Sequence, residues 1–333
     1  MSRLVDGYDL VIFDLDGVIY LIDKPIAGAA EAVERLRGDG TAVAYATNNA
    51  SRRAAEVASL LSGMGVPATA SEVLTSAGAS AAVLAERLPA GAPVLVVGAD
   101  ALRDEVRDVG LTPVERFEDS PAAVVQGYGA DVGWRILAEA ALAVRAGATW
   151  VATNTDRTLP SPRGPLPGNG SLVAVLRTAL NRDPDVVVGK PQPALFTTAA
   201  SLSGARRPLT VGDRLDTDIE GAVRAGQDSL LVLTGVSGPA DLLAAPEHQR
   251  PTYVAGDLSA LFGPDDAVRI PDGGTGELGG WRLERDGSAA VLDGDGDPVD
   301  ALRLLCPATW DGAEPRAGGD AARELVKEWG LPG

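Results

Sequence analysis

Asp14 and Asp16 stand one residue apart, directly after the apolar run Leu10-Val11-Ile12-Phe13. In parallel α/β sheets, ligands bind beyond the carboxyl ends of the strands, which is where this pair would sit. The same acids, followed by Gly17, would also make an ordinary turn. Thr47, Asn48 and Asn49 follow a second apolar run and precede Ser51 and Arg52. A hydroxyl, carboxamides and the amides of a helix start would cradle a phosphate, and each of these side chains could equally cap a helix. Lys190 lies just past the run 186–188. There a cation would neutralise a bound anion and a neighbouring carboxylate, the plainer alternative being a solvated loop lysine. Asp213, Asp216 and Asp218 fall within six residues of one another after a further run. Acids at a helix start are favoured by the helix dipole. Three so close repel one another unless a cation sits among them, and hard oxygen donors imply Mg²⁺ rather than zinc.

The elements that position these residues are legible as apolar runs alternating with Ala-rich stretches of helical period. Residues 10–13 and 42–46 read as strands, and Ala29, Val33 and Leu36 mark a helix between them, stopped by Gly40. Strands are expected at 94–97, 122–125 and 149–152, with helices at about 99–109 and 134–146. A further set of strands is expected at 186–188, 209–211 and 230–233, with a helix at about 217–225 ending at Gly226. Residues 253–254 would form an edge strand. Continuous apolar strands flanked by helices are the pattern of a buried parallel sheet. From about residue 262 the chain changes: turn-rich stretches lead into three weak strands, at 281–283, 289–292 and 301–305, and a closing helix at about 321–329. Gly274-Thr275-Gly276-Glu277-Leu278-Gly279 satisfies G-x-G-x-x-G. It precedes apparent strands instead of a helix, so a flexible linker is expected there, not a dinucleotide site.

Composition narrows the chemistry. The chain has 333 residues, 45% hydrophobic but only 4% aromatic, so the core rests on Ala, Val and Leu. That length allows two domains, or one domain with a large insertion. The formal net charge of −17 opposes nucleic-acid binding. It also means that any phosphate site needs a strong local positive source. The single histidine, His248, rules out three-His zinc sites and leaves little for a phosphohistidine mechanism. Cys306, the only cysteine, lies in Leu305-Cys306-Pro307-Ala308, which is not an anion loop. With no internal disulfide, a reducing cytoplasm is expected. No signal peptide and no membrane-spanning run are expected.

Taken together, Asp-x-Asp after the first strand, Thr after the second, a late Lys and Gly-Asp-x-x-x-x-Asp resemble the four-motif signature of haloacid dehalogenase-like hydrolases. About 140 residues separate Asn49 from Lys190. That gap resembles a large cap inserted between the second and third motifs. Within it, Thr153-Asn154-Thr155-Asp156, Pro160 and Pro167-Gly168-Asn169-Gly170-Ser171 resemble the NagD-like, or 4-nitrophenylphosphatase, subfamily. The resemblance covers about residues 8–260 and not the tail. It implies an α/β fold with a Rossmann-like doubly wound parallel sheet core, a large inserted α/β cap and a small α+β C-terminal appendage. The boundaries are then 1–78 and 186–262 for the core, 79–185 for the cap and 263–333 for the appendage.

The resemblance also implies roles. Asp14 would be the nucleophile, forming an aspartyl-phosphate, and Asp16 the proton donor and then the base. Asp14, Asp213 and the peptide carbonyl of Asp16 would hold Mg²⁺. Thr47, Asn48, Asn49 and Lys190 would bind the phosphoryl oxygens, with Asp218 behind them and Asp216 as a cap. Residues 17–24 would let the cap open and close, and Leu159 and Arg163 in the cap would meet substrate. The implied function is a phosphatase of a small phosphomonoester, glycerol 3-phosphate first and 2-phosphoglycolate second, with no nucleic-acid or membrane partner. Homodimerisation through the cap is common in the subgroup. The alternatives are a phosphotransferase or phosphomutase on the same fold, and a non-catalytic phosphate-sensing scaffold.

Overall fold

The computed structural model describes residues 2–22 and 24–331. The chain divides into two compact units, Met1–Val43 with Ala200–Gly333, and Ala44–Ala199.

In the first unit, four strands run parallel in the order Tyr253–Ala255, Asp228–Val232, Pro208–Gly212 and Leu10–Phe13. All four residues of Leu10–Phe13 are fully buried. A strand covered on both faces can be apolar at every position, which is why this one shows no alternation. Phe13 lies beside Val211, so Asp14 and Asp213 leave adjacent strands at the same end. The helix read at about 217–225 is two elements: a π-helical turn, Leu215–Ile219, and then an α-helix, Glu220–Arg224. π-Turns inside helices are frequent at functional sites.

The tail belongs to this unit. Its sheet runs Gly276–Leu278, Trp281–Asp286, Ala289–Gly294 and Glu314–Ala317, the first three antiparallel and the last parallel to its neighbour. The expected linker at 274–279 is therefore partly a strand, with Leu278 beside Trp281. The strand expected at 301–305 is instead the middle of a helix, Pro298–Trp310. Two local signals start that helix: Asp297 Oδ1 accepts from the Val299 amide at 2.7 Å, and Pro298 holds its first position. Ala301, Leu302, Leu304, Leu305, Cys306 and Ala308 are all buried. A helix buried nearly all round loses its 3.6-residue pattern, and periodicity cannot then separate it from a buried strand.

The second unit contains a five-stranded parallel sheet ordered Val186–Val187, Thr149–Ala152, Ala123–Gln126, Pro93–Val97 and Thr112–Val114. Side chains alternate between two buried layers. Val94, Val96, Val125 and Val151 face one cluster with Leu102 and Val106. Leu95, Val97, Val124 and Trp150 face another with Leu137 and Val144 of the helix Trp134–Arg145. Residues 79–185, the expected cap, fall entirely within this unit.

Candidate active site

Three carboxylates converge in the first unit. Asp14, Asp213 and Asp218 each offer an oxygen, and these oxygens all lie within 4.8 Å of one another. Asp213 and Asp218 are completely buried and Asp14 is nearly so. At such spacing each pair of like charges repels by roughly 3–4 kcal/mol at an effective dielectric of about 20. The backbone holds them regardless. The Asp14 amide donates to the Val211 carbonyl at 2.9 Å, the Val236 amide to Asp213 Oδ2 at 2.7 Å and the Arg214 amide to Asp218 Oδ2 at 3.1 Å.

Glycines make the close approach possible. A Cβ at Gly17 or Gly235 would overlap the Asp213 carboxylate, and one at Gly212 would overlap Asp218. Gly17 has φ of 86°, in the left-handed region that favours glycine. It sits in the turn following Asp14, where the Ile19 amide returns to the Leu15 carbonyl at 2.9 Å. Thr234 Oγ1 donates to the Gly17 carbonyl at 2.6 Å, tying that turn to the 234–238 segment.

The chemistry of this donor set fits a hard divalent cation: three carboxylate oxygens, no nitrogen and no sulfur. Asp218 stands in the cluster as a third side-chain donor, whereas Asp16 is not a member of it. Asp16 is partly exposed and bridges to Tyr20 across the turn. Asp216, expected as a cap, instead pairs with Arg214 at 2.9 Å on the surface. Asp23, in the expected 17–24 turn, lies outside the described residues.

In the second unit, the expected phosphate-binding residues are tied together by side chains. The Asn48 carboxamide clasps the Lys190 peptide: Oδ1 accepts from the Lys190 amide at 2.7 Å, and Nδ2 donates to the Lys190 carbonyl at 3.1 Å. The same Nδ2 donates to Asp156 Oδ2 at 3.0 Å. The Asn48 carbonyl accepts from Ser76 Oγ at 2.6 Å and Asn154 Nδ2 at 2.7 Å. Lys190 is buried, and its Nζ donates to the Ala46 carbonyl at 3.1 Å. The Asn49 amide donates to Thr47 Oγ1 at 3.1 Å, and Asn49 Oδ1 accepts from the Ser51 amide at 2.8 Å.

These bonds explain why no helix opens at Thr47–Asn49. The helix begins at Ala54, where the Glu56 carboxylate accepts from the Arg53 amide at 2.8 Å. Leu159 lies in a short hairpin, Thr158–Leu159 against Leu166–Pro167, and Arg163 is exposed near its tip.

Sequence reasoning assigned no role to Ser76, to Asp156 and Asn154 individually, or to the segment Thr234-Gly235-Val236-Ser237. A Gly-bearing turn soon after the buried run 229–232 was the available signal for that segment. Nothing local marked Ser76.

Residues 11–112 match the haloacid dehalogenase-like hydrolase family, and 187–261 match the HAD-hydrolase-like family. Residues 278–331 match a GCN5-related N-acetyltransferase like domain. The chain is 43% identical to a D-glycerol 3-phosphate phosphatase of Mycobacterium tuberculosis, over 99% of this chain and 96% of the relative. It is 35% identical to an acid sugar phosphatase of Staphylococcus saprophyticus, over 77% of this chain and 97% of the relative. Among solved structures, a glycerol phosphate phosphatase of Mycobacterium tuberculosis in complex with magnesium superposes with a TM-score of 0.92 at 44% identity, covering 100% of both chains. A 4-nitrophenylphosphatase of Thermotoga maritima superposes with a TM-score of 0.73 at 31% identity, covering 78% of this chain and 98% of that one. With its acids at adjacent strand ends and near full-length likeness to these phosphatases, the chain belongs to the haloacid dehalogenase-like hydrolases.

Proposed function

We propose that this protein is a magnesium-dependent phosphatase acting on a small phosphomonoester, with glycerol 3-phosphate the first candidate and 2-phosphoglycolate the second. The convergence of Asp14, Asp213 and Asp218 within 4.8 Å carries the reading. The near full-length relative and structural neighbour named for glycerol phosphate support the first candidate.

In this reading the side chains of Asp14, Asp213 and Asp218, with the peptide carbonyl of Asp16, hold Mg²⁺. The bound ion supplies the positive charge that lets a phosphate dianion approach a carboxylate. Asp14 attacks phosphorus in line, forming the aspartyl-phosphate as the bond to the leaving oxygen breaks. Asp16, protonated, gives its proton to the departing alkoxide, which would otherwise be a poor leaving group. Asp16 as carboxylate then takes a proton from the water that hydrolyses the aspartyl-phosphate, restoring both groups. Phosphoryl transfer asks mostly for positioning and charge neutralisation. Thr47, Asn48, Asn49 and Lys190 serve the phosphoryl oxygens, and the Asn48 carboxamide does so by holding Lys190 in place. The 17–24 stretch, of which residue 23 lies outside the described residues, would let the cap open and close, and the 158–167 hairpin with Leu159 and Arg163 meets the leaving group.

Dimerisation through the cap is supported by Trp134, 83% exposed, and Leu142, 47% exposed, on one helix. A single buried thiol suits a cytoplasmic setting. No helix among the described residues is long and apolar enough to cross a membrane.

The test is release of 4-nitrophenolate from 4-nitrophenyl phosphate with and without Mg²⁺, followed by a panel of phosphorylated metabolites compared by kcat/KM. Metal-dependent turnover with glycerol 3-phosphate ranked first is expected. No metal-dependent release would overturn the phosphatase reading, and a different leading substrate would overturn only the substrate.

A further inference from the structure

The acetyltransferase-like tail does not build a core of its own. Trp281, Leu292, Leu302 and Leu305 of the tail share one apolar cluster with Leu215, Ile219, Leu231 and Leu242. Leu215 and Ile219 begin and end the π-turn that carries Asp218.

A polar route runs alongside this packing. Trp310, at the end of the tail helix Pro298–Trp310, donates its indole N–H to the Leu242 carbonyl at 2.9 Å. The Arg250 guanidinium lies 5.0 Å from the Trp310 ring centroid and donates to the Trp310 carbonyl at 3.1 Å. Leu242 belongs to the helix Pro239–Leu243, which starts two residues after Ser237. The Ser237 amide donates to the Asp213 carbonyl at 3.0 Å, and its Oγ accepts from the Leu215 amide at 3.0 Å. The preceding Val236 amide is the donor to Asp213 Oδ2.

A cleft opens between the tail and residues 255–260. This cleft of about 630 Å³ is lined by Asp257, Asp266, Asp297 and Asp300, with Arg303 the one cation. The Arg303 guanidinium is engaged by the Asp300 carboxylate at 2.6 Å and the Arg269 carbonyl at 2.8 Å. An anion would meet net negative charge there.

We propose that the tail serves as a positioning element for the metal-holding acids, with Trp310 as its contact residue. Trp310 fixes the helix Pro239–Leu243, that helix fixes Val236 and Ser237, and these set the Asp213 carboxylate. The inference rests on the reading of Asp14, Asp213 and Asp218 as the magnesium site. Groups that orient metal ligands from behind are worth factors of affinity, because a ligand held off its position pays to reach the ion.

The experiment compares the full chain with its Trp310→Phe variant, which keeps an aromatic ring and removes the donor. Mg²⁺ binding is measured directly by calorimetry in the absence of substrate. Alongside it are measured the Mg²⁺ concentration for half-maximal 4-nitrophenyl phosphate turnover, kcat at saturating metal, and the melting temperature without metal. Trp310→Phe is expected to weaken Mg²⁺ binding by about three- to tenfold, the worth of one hydrogen bond, with kcat at saturating metal within about twofold. Ser237→Ala, further along the same route, is expected to weaken Mg²⁺ binding similarly. Trp281→Phe is the control, since its indole N–H donates within the tail, to the Asp297 carbonyl at 2.9 Å. It should lower the melting temperature without moving the Mg²⁺ constant. If Trp310→Phe and Ser237→Ala bind Mg²⁺ as the parent does, or if Trp281→Phe shifts it equally, the tail is a general stabiliser and the proposal falls. If the parent itself binds no Mg²⁺, the magnesium reading fails first.

Discussion

The acid cluster of the first unit and the Lys190 segment of the second are built by opposite means. In the first unit, Asp14, Asp213 and Asp218 are set by peptide groups and by glycines that leave room for them. In the second, the Asn48 side chain holds the Lys190 peptide, and the side chains of Asn154, Asp156 and Ser76 hold Asn48. The difference has a physical reason. Three carboxylates cannot be steadied by further acceptors, and main-chain N–H groups donate without adding a titratable charge. The Lys190 peptide offers one donor and one acceptor, so a carboxamide, able both to accept and to donate, grips it. The acid cluster should therefore break when a glycine gains a side chain, and the Lys190 segment when an amide is lost.

Asp14→Asn removes the nucleophile while keeping its shape. Turnover should fall by roughly four orders of magnitude, the scale of losing a nucleophilic group, with circular dichroism unchanged. Full activity in this variant would remove Asp14 from the mechanism. Gly235→Ala tests the acid cluster without touching an acid. Its Cβ would push the Asp213 carboxylate aside, so Mg²⁺ affinity should drop by about tenfold or more. An unchanged affinity, measured by calorimetry, would show that the glycine cradle does not set the site.

Asn48→Ala tests the Lys190 segment. It strands the Lys190 amide and carbonyl in a buried place, which costs about 1–3 kcal/mol for an unsatisfied group. The expected pattern is a lower melting temperature and a raised KM, with Mg²⁺ binding unaltered. A variant that lost Mg²⁺ binding as well would erase the distinction between the two.

A smaller effect is expected at Asp9, whose carboxylate accepts from the Arg206 amide at 2.8 Å and the Arg207 amide at 2.9 Å. Desolvation raises its pKa, but these donors outweigh that and hold it below the usual 3.8. A depressed folded pKa contributes stability above the unfolded value, which is lost as pH falls through the folded one. Asp9→Asn should thus be slightly less stable than the parent at neutral pH, the gap closing below about pH 4. A gap that persisted in acid would point to packing instead of charge. Least of all should change at Cys306. Burial raises its thiol pKa, so a thiol reagent should leave the native protein unmodified and active.

Asp14, Thr47, Lys190 and Asp213 were legible because each stands at or within two residues of the end of a largely apolar run. Leu10–Phe13 and Pro208–Gly212 needed no context to be read as strands, and they place Asp14 and Asp213 side by side. The helix Pro298–Trp310 was not legible, since burial on nearly every side erased the pattern that marks a helix. The break between Thr47 and Ala54 was missed for another reason. Thr, Asn and Ser suit a helix start as well as a turn; here Thr47 and Asn49 close local turns while Asn48 bonds the distant Lys190 and Asp156.

By itself, the sequence determined which acids, amides and lysine are available and in what order they follow the strands, because strand ends are marked locally by where apolar runs stop. The tertiary structure alone decided that Asp218 joins the carboxylate cluster while Asp16 does not, that Asn48 grips Lys190 across 142 positions of chain, and that the tail shares its core with the Asp218 turn. Such contacts depend on how separate elements pack, and no local pattern in a single chain records which distant groups will meet.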